Sequence, residues 1–369
     1  MSEPRGEIRN MASLSDVAKA AGVSLTTASL VLNRPKQPNR VSEGCSERVR
    51  AVAKRLGYVP NYHARSMKLR RAETVAVAID VENFAGEVRA SELADAYFNH
   101  LIGGVEMHLR QVGYQMALVV GPDGYLSASE RALQGINQRR FDGMIVLAVT
   151  IDPSKENVLA KLPADASVVA IEYGGQTTAA QVDYDERHGL ELALRHLAEL
   201  GHRRLLWVAP EGSVREPVMR SVAAGFDVAV TALDFPFAHN PARSWRVDMV
   251  DQARAGMRDY LRAHAGEFTA VVAYNDPVAI GVCGALAEAG VRVPADVSVI
   301  GFDDVEASFC IPPLTTVSHK LVEMGRRAAE RVMEMVKDEA ARERLRGVRD
   351  VLKPELVVRG STSRARTAE

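Results

Sequence analysis

The chain is short of the features that mark several protein classes. Its three cysteines, Cys45, Cys283 and Cys310, lie far apart and form no CxxC pair. That spacing disfavours a zinc site or a redox dithiol and suits free thiols in a reducing compartment. No window approaches 18 uncharged apolar residues, so no transmembrane helix is indicated. The opening MSEPRGEIRN has no apolar core of a signal peptide, and the expected location is cytoplasmic. No GxGxxG follows a strand, and neither a P-loop nor a GxSxG elbow occurs. Dinucleotide, nucleotide-triphosphate and serine-hydrolase chemistry therefore lack a motif. His188 and Glu191 give one HxxE spacing, which reads as surface charge before it reads as a metal site. No enzyme, cofactor or metal is expected.

What the chain does have is length, apolar content and an uneven charge. Its 369 residues, 47% hydrophobic, suffice for two or three domains. Residues 1–71 hold 14 basic and 5 acidic side chains, whereas the remainder holds 32 and 42. Such a split suggests a nucleic-acid-binding head on an acidic body. A solvated basic tail would show the same charge, but it would lack the apolar periodicity present here.

In SLSDVAKAAGVSLTTASLVLN, Ser13 can cap a helix with Asp16 at its third position. Leu14, Val17, Ala18 and Ala21 share one face, and Gly22 ends the helix. Ser24 caps a second helix, with Ala28, Val31 and Leu32 inward and Leu25, Thr26, Ser29 and Leu30 largely outward. A third helix runs from Ser42, with stripe Cys45, Val49, Val52 and Leu56, to a stop at Gly57. Two helices and a Gly-containing turn, supported by a third helix, spell a helix-turn-helix whose second helix enters the major groove. Next, Asn61 could cap a short helix too marginal to stand alone in water, ordered only when something binds it. Arg65, Lys68, Arg70 and Arg71 suit phosphates. Met67 is either a wedge for the minor groove or a linker residue packed on the head.

From Thr74 the texture changes to short apolar, β-branched runs separated by helical stretches. TVAVAID, QMALVV, GMIVLAV, SVVAIE, RLLWVA, AVVAYN and VSVIGF read as strands of parallel sheets covered on both faces. They are too many for one modest sheet, so two Rossmann-like lobes of roughly 130 residues each are expected. Ligands of such sheets sit beyond the carboxyl ends of strands. That rule selects Asn275 and Asp276, Asp303 and Asp304, and, after RLLWVA, Arg220. An amide, a carboxylate and an arginine converging on a cleft would hold a polar small molecule. Asn275-Asp276-Pro277 reads equally well as a helix start.

The ordered run LSDVAKAAGVSLTTASLVLN to VSEGCSERVRAVAKRLGYVPNYHARSM resembles the DNA-binding head and hinge of the LacI/GalR family of bacterial transcription regulators. The resemblance continues through AYFNHLIGGVE, FDGMIVLA, ELGHRRLLWVA, YNDPVAIG, GVRVPADVSVIGFDDVEASFCIPPLTTV and KPELVVRGST. It implies an all-α helix-turn-helix head plus an α/β body of two Rossmann-like lobes of the periplasmic-binding-protein type. The implied boundaries are 1–60 for the head, 61–73 for hinge helix and linker, 74–360 for an effector-binding and dimerisation core, and 361–369 for a flexible tail. By resemblance, Leu25, Thr26, Ser29 and Leu30 face bases, and Ser24, Thr27 and Asn33 meet the DNA backbone. Asn61, Ala64, Arg65 and Met67 belong to the DNA-contacting hinge. Tyr97, His188, Arg220, Trp245, Asn275 and Asp303 fall at effector-contacting positions.

Several residues depart from the family pattern. Leu30 stands where some members have an arginine, which shifts base preference toward a thymine methyl. Asp95-Ala96 replaces a common Asn-Pro, Glu172-Tyr173 a frequent Asp-Arg, and the loop at 82–94 is longer than usual. After VRGST no apolar heptads follow, so a homodimer rather than a tetramer is expected. The implied function is a repressor of the LacI type. It would be gated allosterically by a small polar effector, sugar-like or a related metabolite, on a near-palindromic operator in double-stranded DNA, with no membrane partner. The alternatives are control by a partner protein and a solute-binding protein.

Overall fold

The computed structural model describes residues 12–33, 41–59, 71–79, 95–121, 126–148, 158–213, 215–238 and 244–366. The chain divides into two compact units, Met1–Ala72 and Glu73–Glu369.

The first unit contains α1 (Leu14–Ala21), α2 (Leu25–Asn33) and α3 (Glu43–Arg55). The expected capping box forms: Ser13 and Asp16 each satisfy the other's backbone N–H. Gly22 takes φ +65°, the left-handed cap that an L side chain rarely adopts. Thr27 N–H donates to Ser24 Oγ at 3.1 Å, which caps α2. Ser42 stands at the start of α3 but makes no side-chain cap bond. Val17, Ala18, Ala21, Ala28, Val31, Val49, Val52 and Ala53 close one small core. Arg48 Nε donates to the Ala21 carbonyl at 3.1 Å and ties α3 to the end of α1.

The second unit runs β1 (Thr74–Ile79), α4 (Ala96–Gln111), β2 (Gln115–Val120), α5 (Ala128–Asn137), β3 (Gly143–Leu147), β4 (Val168–Ile171), β5 (Ala180–Tyr184) and α6 (Glu186–Glu199). It continues with β6 (Arg204–Pro210), α7 (Arg215–Ala223), β7 (Ala229–Phe235), α8 (Trp245–His264), β8 (Ala270–Ala273), α9 (Asp276–Glu288) and β9 (Ser298–Asp303). Then come β10 (Thr315–Ser318), α10 (Leu321–Lys337), α11 (Glu339–Leu345), β11 (Arg349–Leu352) and β12 (Glu355–Val357). Two sheets result, ordered β11-β5-β4-β3-β1-β2 and β12-β10-β9-β8-β6-β7. Every pairing is parallel except that of β12 with β10. Each sheet is a lobe core with helices on both faces, as apolar parallel strands require. α4 and α10 cover one face of the first sheet and α5 the other. α8 and α9 cover one face of the second, α6 and α7 the other.

α4 and α10 approach closely because glycines face each other's backbone. A Cβ at Gly104 would lie 2.0 Å from the Val322 carbonyl oxygen, and one at Gly325 2.0 Å from that of Leu101. The chain crosses between lobes three times: after β5 at Asp185, after β10 at His319-Lys320, and between β11 and β12 at Lys353-Pro354.

The expected flexible tail at 361–369 is corrected for its larger part. Ser361 Oγ accepts from Thr315 N–H at 2.8 Å, Ser363 O lies 3.0 Å from His202 Nε2, and Ala365 N–H donates to Leu200 O at 2.9 Å. Hydroxyl-bearing residues hold 361–366 against the second lobe.

Candidate functional site

On the head, the N-terminal turn of α2 is open. Ser24, Leu25 and Thr26 are exposed, and Leu25 at 54% has no core role. Thr27 is half-buried, its Oγ1 2.8 Å from Ser24 Oγ, and Ser29 and Leu30 are half-buried further along. The turn carries no acidic residue, so the positive end of the helix dipole faces outward uncancelled, as phosphate contact requires. Asn33 is the last residue of α2. The hinge residues Asn61, Ala64, Arg65 and Met67, and the loop 82–94, lie outside the described residues.

In the body, a polar cluster gathers where strands end. Glu172 follows β4, Tyr184 closes β5, Tyr274 and Asn275 follow β8, Asp303 closes β9 and His319 follows β10. Arg215 opens α7 after β6, Trp245 and Arg246 open α8 after β7, and Tyr97 lies in the first turn of α4. Both sheets thus aim their carboxyl ends at one cleft, the usual ligand position of such folds.

Arg215 organises the centre. Its Nη1 donates to the Tyr274 carbonyl at 2.7 Å, its Nη2 to the Tyr184 hydroxyl, and its Nε lies 2.5 Å from Glu186 Oε1. The guanidinium also sits over the Tyr274 ring, 4.5 Å from its centroid. Asp303 Oδ1 lies 3.2 Å from His319 Nδ1, and His319 stacks on Tyr184 at 3.7 Å and 12°. Burial pushes the Asp303 carboxyl up, but the adjacent His319 ring and the guanidiniums of Arg215 and Arg246 prevail and hold it low. Asp303 therefore stays ionised, at a strained backbone position of φ +99°. Burial lowers His319 despite the same partner, which keeps it neutral. The Tyr97 hydroxyl donates to Glu172, whose carboxyl burial pushes up to about 7. The cleft wall thus mixes a fixed anion, two fixed cations, phenols and a carboxyl that titrates near neutrality.

The expected effector residues divide. Tyr97, Asn275 and Asp303 are buried at the cleft, and Trp245 packs beside it on the second-lobe core. Asn275 Oδ1 is the cap of α9, accepting Val278 N–H at 3.0 Å, so the helix-start reading of that residue holds. His188 binds Asp185 through its backbone at 2.9 Å and lies 4.0 Å from Glu191, with no bond to the cluster among the described contacts. Arg220 is a correction. It sits on the outer side of α7, 57% exposed, in an i,i+4 pair with Glu216. The arginine in the cleft is Arg215, at the helix N-terminus. Sequence reasoning marked Glu172 only as a departure from the family pattern and missed Tyr184, Arg246 and His319 as cleft residues; all but Arg246 end or directly follow strands, which is a usable signal. Among the described residues no group of three or more His, Cys, Asp or Glu is placed to hold a metal ion, and no helix is long and apolar enough to cross a membrane.

A helical DNA-reading head joined to two parallel-sheet lobes facing one cleft defines a class of regulators assembled from a helix-turn-helix and a periplasmic-binding-protein-like body. The family model for bacterial regulatory proteins of the lacI family matches residues 13–61, and that for the periplasmic binding protein-like domain matches 194–362. The chain belongs to the lacI family of bacterial regulatory proteins. It is 30% identical over 356 residues to the HTH-type transcriptional repressor PurR of Haemophilus influenzae strain PittEE, covering 95% of this chain and 98% of that protein. The PurR of Photobacterium profundum is 29% identical at the same coverage. Among solved structures, the lac repressor dimer bound to operator and the anti-inducer ONPF superposes with a TM-score of 0.69 at 24% identity, over 95% of this chain and 99% of that one. The CelR–cellobiose complex superposes at 0.59 with 28% identity and the same coverage. The chain is a DNA-binding transcriptional regulator of this family.

Proposed function

We propose that the chain is a homodimeric cytoplasmic repressor whose grip on a near-palindromic operator is set by a small polar molecule held between the lobes. One observation carries the reading: ionised Asp303, the guanidinium of Arg215, the Asn275 amide, and the Tyr97–Glu172 pair converge on one buried cleft. Such a mixture of fixed donors and acceptors matches a hydroxyl- or amide-bearing ligand and would reject an apolar one. Relatives support the rest. The lac repressor structure holds an operator and an anti-inducer in a dimer, and CelR holds cellobiose. On the head, Leu25, Thr26, Ser29 and Leu30 read bases, and Ser24, Thr27 and Asn33 engage phosphates. Asn61, Ala64, Arg65 and Met67 would complete the contact. A ligand that prefers one lobe arrangement shifts DNA affinity, and DNA shifts ligand affinity by the same factor.

The test begins with selection of bound duplexes from a random library by the full chain. A near-palindromic site should emerge, and Thr26→Ala should weaken its binding at least tenfold with less effect on scrambled DNA. Thermal-shift screening of neutral sugars, nucleobases and sugar acids then seeks a compound that raises Tm and changes operator affinity. Equal affinity for selected and scrambled duplexes, or compounds that raise Tm without touching operator affinity, would refute the respective half.

A further inference from the structure

The cleft is bridged by the protein's own side chains at a second place, away from Arg215. Asp95 caps α4 in the first lobe, its Oδ1 accepting Tyr97 N–H at 2.8 Å. The same oxygen accepts from Arg246 Nη1 at 3.0 Å, and Arg246 belongs to the first turn of α8 in the second lobe. Arg246 also donates through Nη2 to Glu306, which lies just beyond β9 in its own lobe. The Asp95 side chain is wholly buried and that of Arg246 is 10% exposed. Arg246 is steered by its neighbours: Ser244 caps α8, and the Trp245 ring lies 5.4 Å from the guanidinium.

We propose that Arg246 is a positioning residue that clasps the first lobe to the second through Asp95, so that the chain itself sets the lobe arrangement on which effector binding then acts. The inference rests on the reading of the cleft as an effector site. A buried ion pair is poor at adding net stability, because desolvation offsets its attraction, but it is well suited to choosing between two arrangements. This one is imperfect. Arg246 Nε is buried without a hydrogen-bond partner, and burial raises the Asp95 carboxyl in spite of the adjacent guanidinium and a hydrogen bond from Trp245. A clasp that leaves a buried guanidinium N–H unsatisfied is one that can be released. Its position also gives it leverage, since Asp95 fixes the start of the α4 turn whose Tyr97 reaches Glu172. Breaking the clasp frees both the lobes and one wall of the cleft.

Amide hydrogen exchange on the full-length chain, with no metabolite added, tests this. Arg246→Gln should accelerate exchange at least tenfold in peptides covering 95–105 and 244–252, while exchange in the head and in β8–β9 stays as in wild type. Small-angle scattering should give a larger radius of gyration, and affinity for the selected operator should shift with no ligand present. Asp95→Asn should give the same pattern, the double variant should be no worse than either single, and Arg246→Lys should restore part of the protection. Should Arg246→Gln fail to fold, Asp95→Asn carries the test alone. Unchanged exchange at 95–105 in the folded variants, or additive effects in the double variant, would overturn the clasp. Failure of every metabolite to shift Tm would count against the effector reading and leave the clasp result standing.

Discussion

The first sheet, ordered β11-β5-β4-β3-β1-β2, and the second, ordered β12-β10-β9-β8-β6-β7, place their strands in matching positions. Yet their strand ends face the cleft with different chemistry. The first lobe supplies acceptors and phenols: Asp95, Tyr97, Glu172 and Tyr184. The second supplies both guanidiniums, Arg215 and Arg246, each in the first turn of a helix that follows a strand. Matching topology therefore fixes where a ligand sits, and the residues at corresponding corners fix what the lobes say to each other across it. Charge runs from second lobe to first, and the largest perturbation should come from removing it.

Arg215→Ala is that perturbation. It would strand Glu186 and the Tyr184 hydroxyl, and it would remove one of the cations that keep buried Asp303 ionised. Loss of one partner from a buried charged network costs about 3–5 kcal/mol. Urea unfolding of the full chain should show that loss in the body transition, with the α1–α3 transition unmoved. A loss below about 1 kcal/mol, the range of exposed pairs, would mean that Arg215 is not the hub of the second lobe's charge.

A subtler contrast lies inside the second lobe, between two carboxyls. Asp303 is held ionised, whereas Asp276, fully buried, is pushed by burial, and by the charge of Asp303, up to about 8. Asp276 accepts Val305 N–H at 2.9 Å and the Thr316 hydroxyl at 2.7 Å. Its folded value lies above the ordinary 3.8, so the folded chain keeps a proton that the unfolded chain releases. The stability tied to that proton is complete below 3.8 and drains away as pH rises to about 8. Asp276→Asn copies the neutral form and should remove that slope. Between pH 5 and 8 the variant should gain on wild type by at most about 1.4 kcal/mol per pH unit, read from urea midpoints. A constant difference across that range would mean that Asp276 is ionised like Asp303.

Much of this architecture is legible in the residues. The uniformly apolar runs became strands of the two sheets, and the head follows from its caps and stripes. Five strands escaped: AQVDY, AVTALDF, TTVS, RDVL and ELV, which form β5, β7, β10, β11 and β12, and all but β7 are short and polar. β10 shows why. Its Thr315 and Thr316 are fully buried, but Ser361, Thr362 and Asp276 satisfy their polar groups from distant parts of the chain. Hydrophobic patterning cannot register a burial that depends on such partners. The site divides in the same way. Asn275 and Asp303 follow from the strand-end rule, because a strand's last residue lies where the strand points. A residue on the following helix is harder, since its direction depends on where that helix begins.

The smallest expected effect tests that last point. Arg215 is the first residue of α7, and Arg220 stands five positions later. At about 100° per residue, five steps turn the side chain to about 140° from Arg215, toward solvent and Glu216. Arg220→Ala should then cost no more than about 0.5 kcal/mol, as exposed i,i+4 pairs do. It should also leave both Tm shifts and operator affinity with any active metabolite as in wild type. Arg215→Lys keeps the charge but loses the fork that joins the Tyr274 carbonyl and the Tyr184 hydroxyl, and it should weaken that metabolite's Tm shift. The reverse ranking, with Arg220→Ala blind to the metabolite and Arg215→Lys responsive, would mean that α7 presents its opposite face to the cleft.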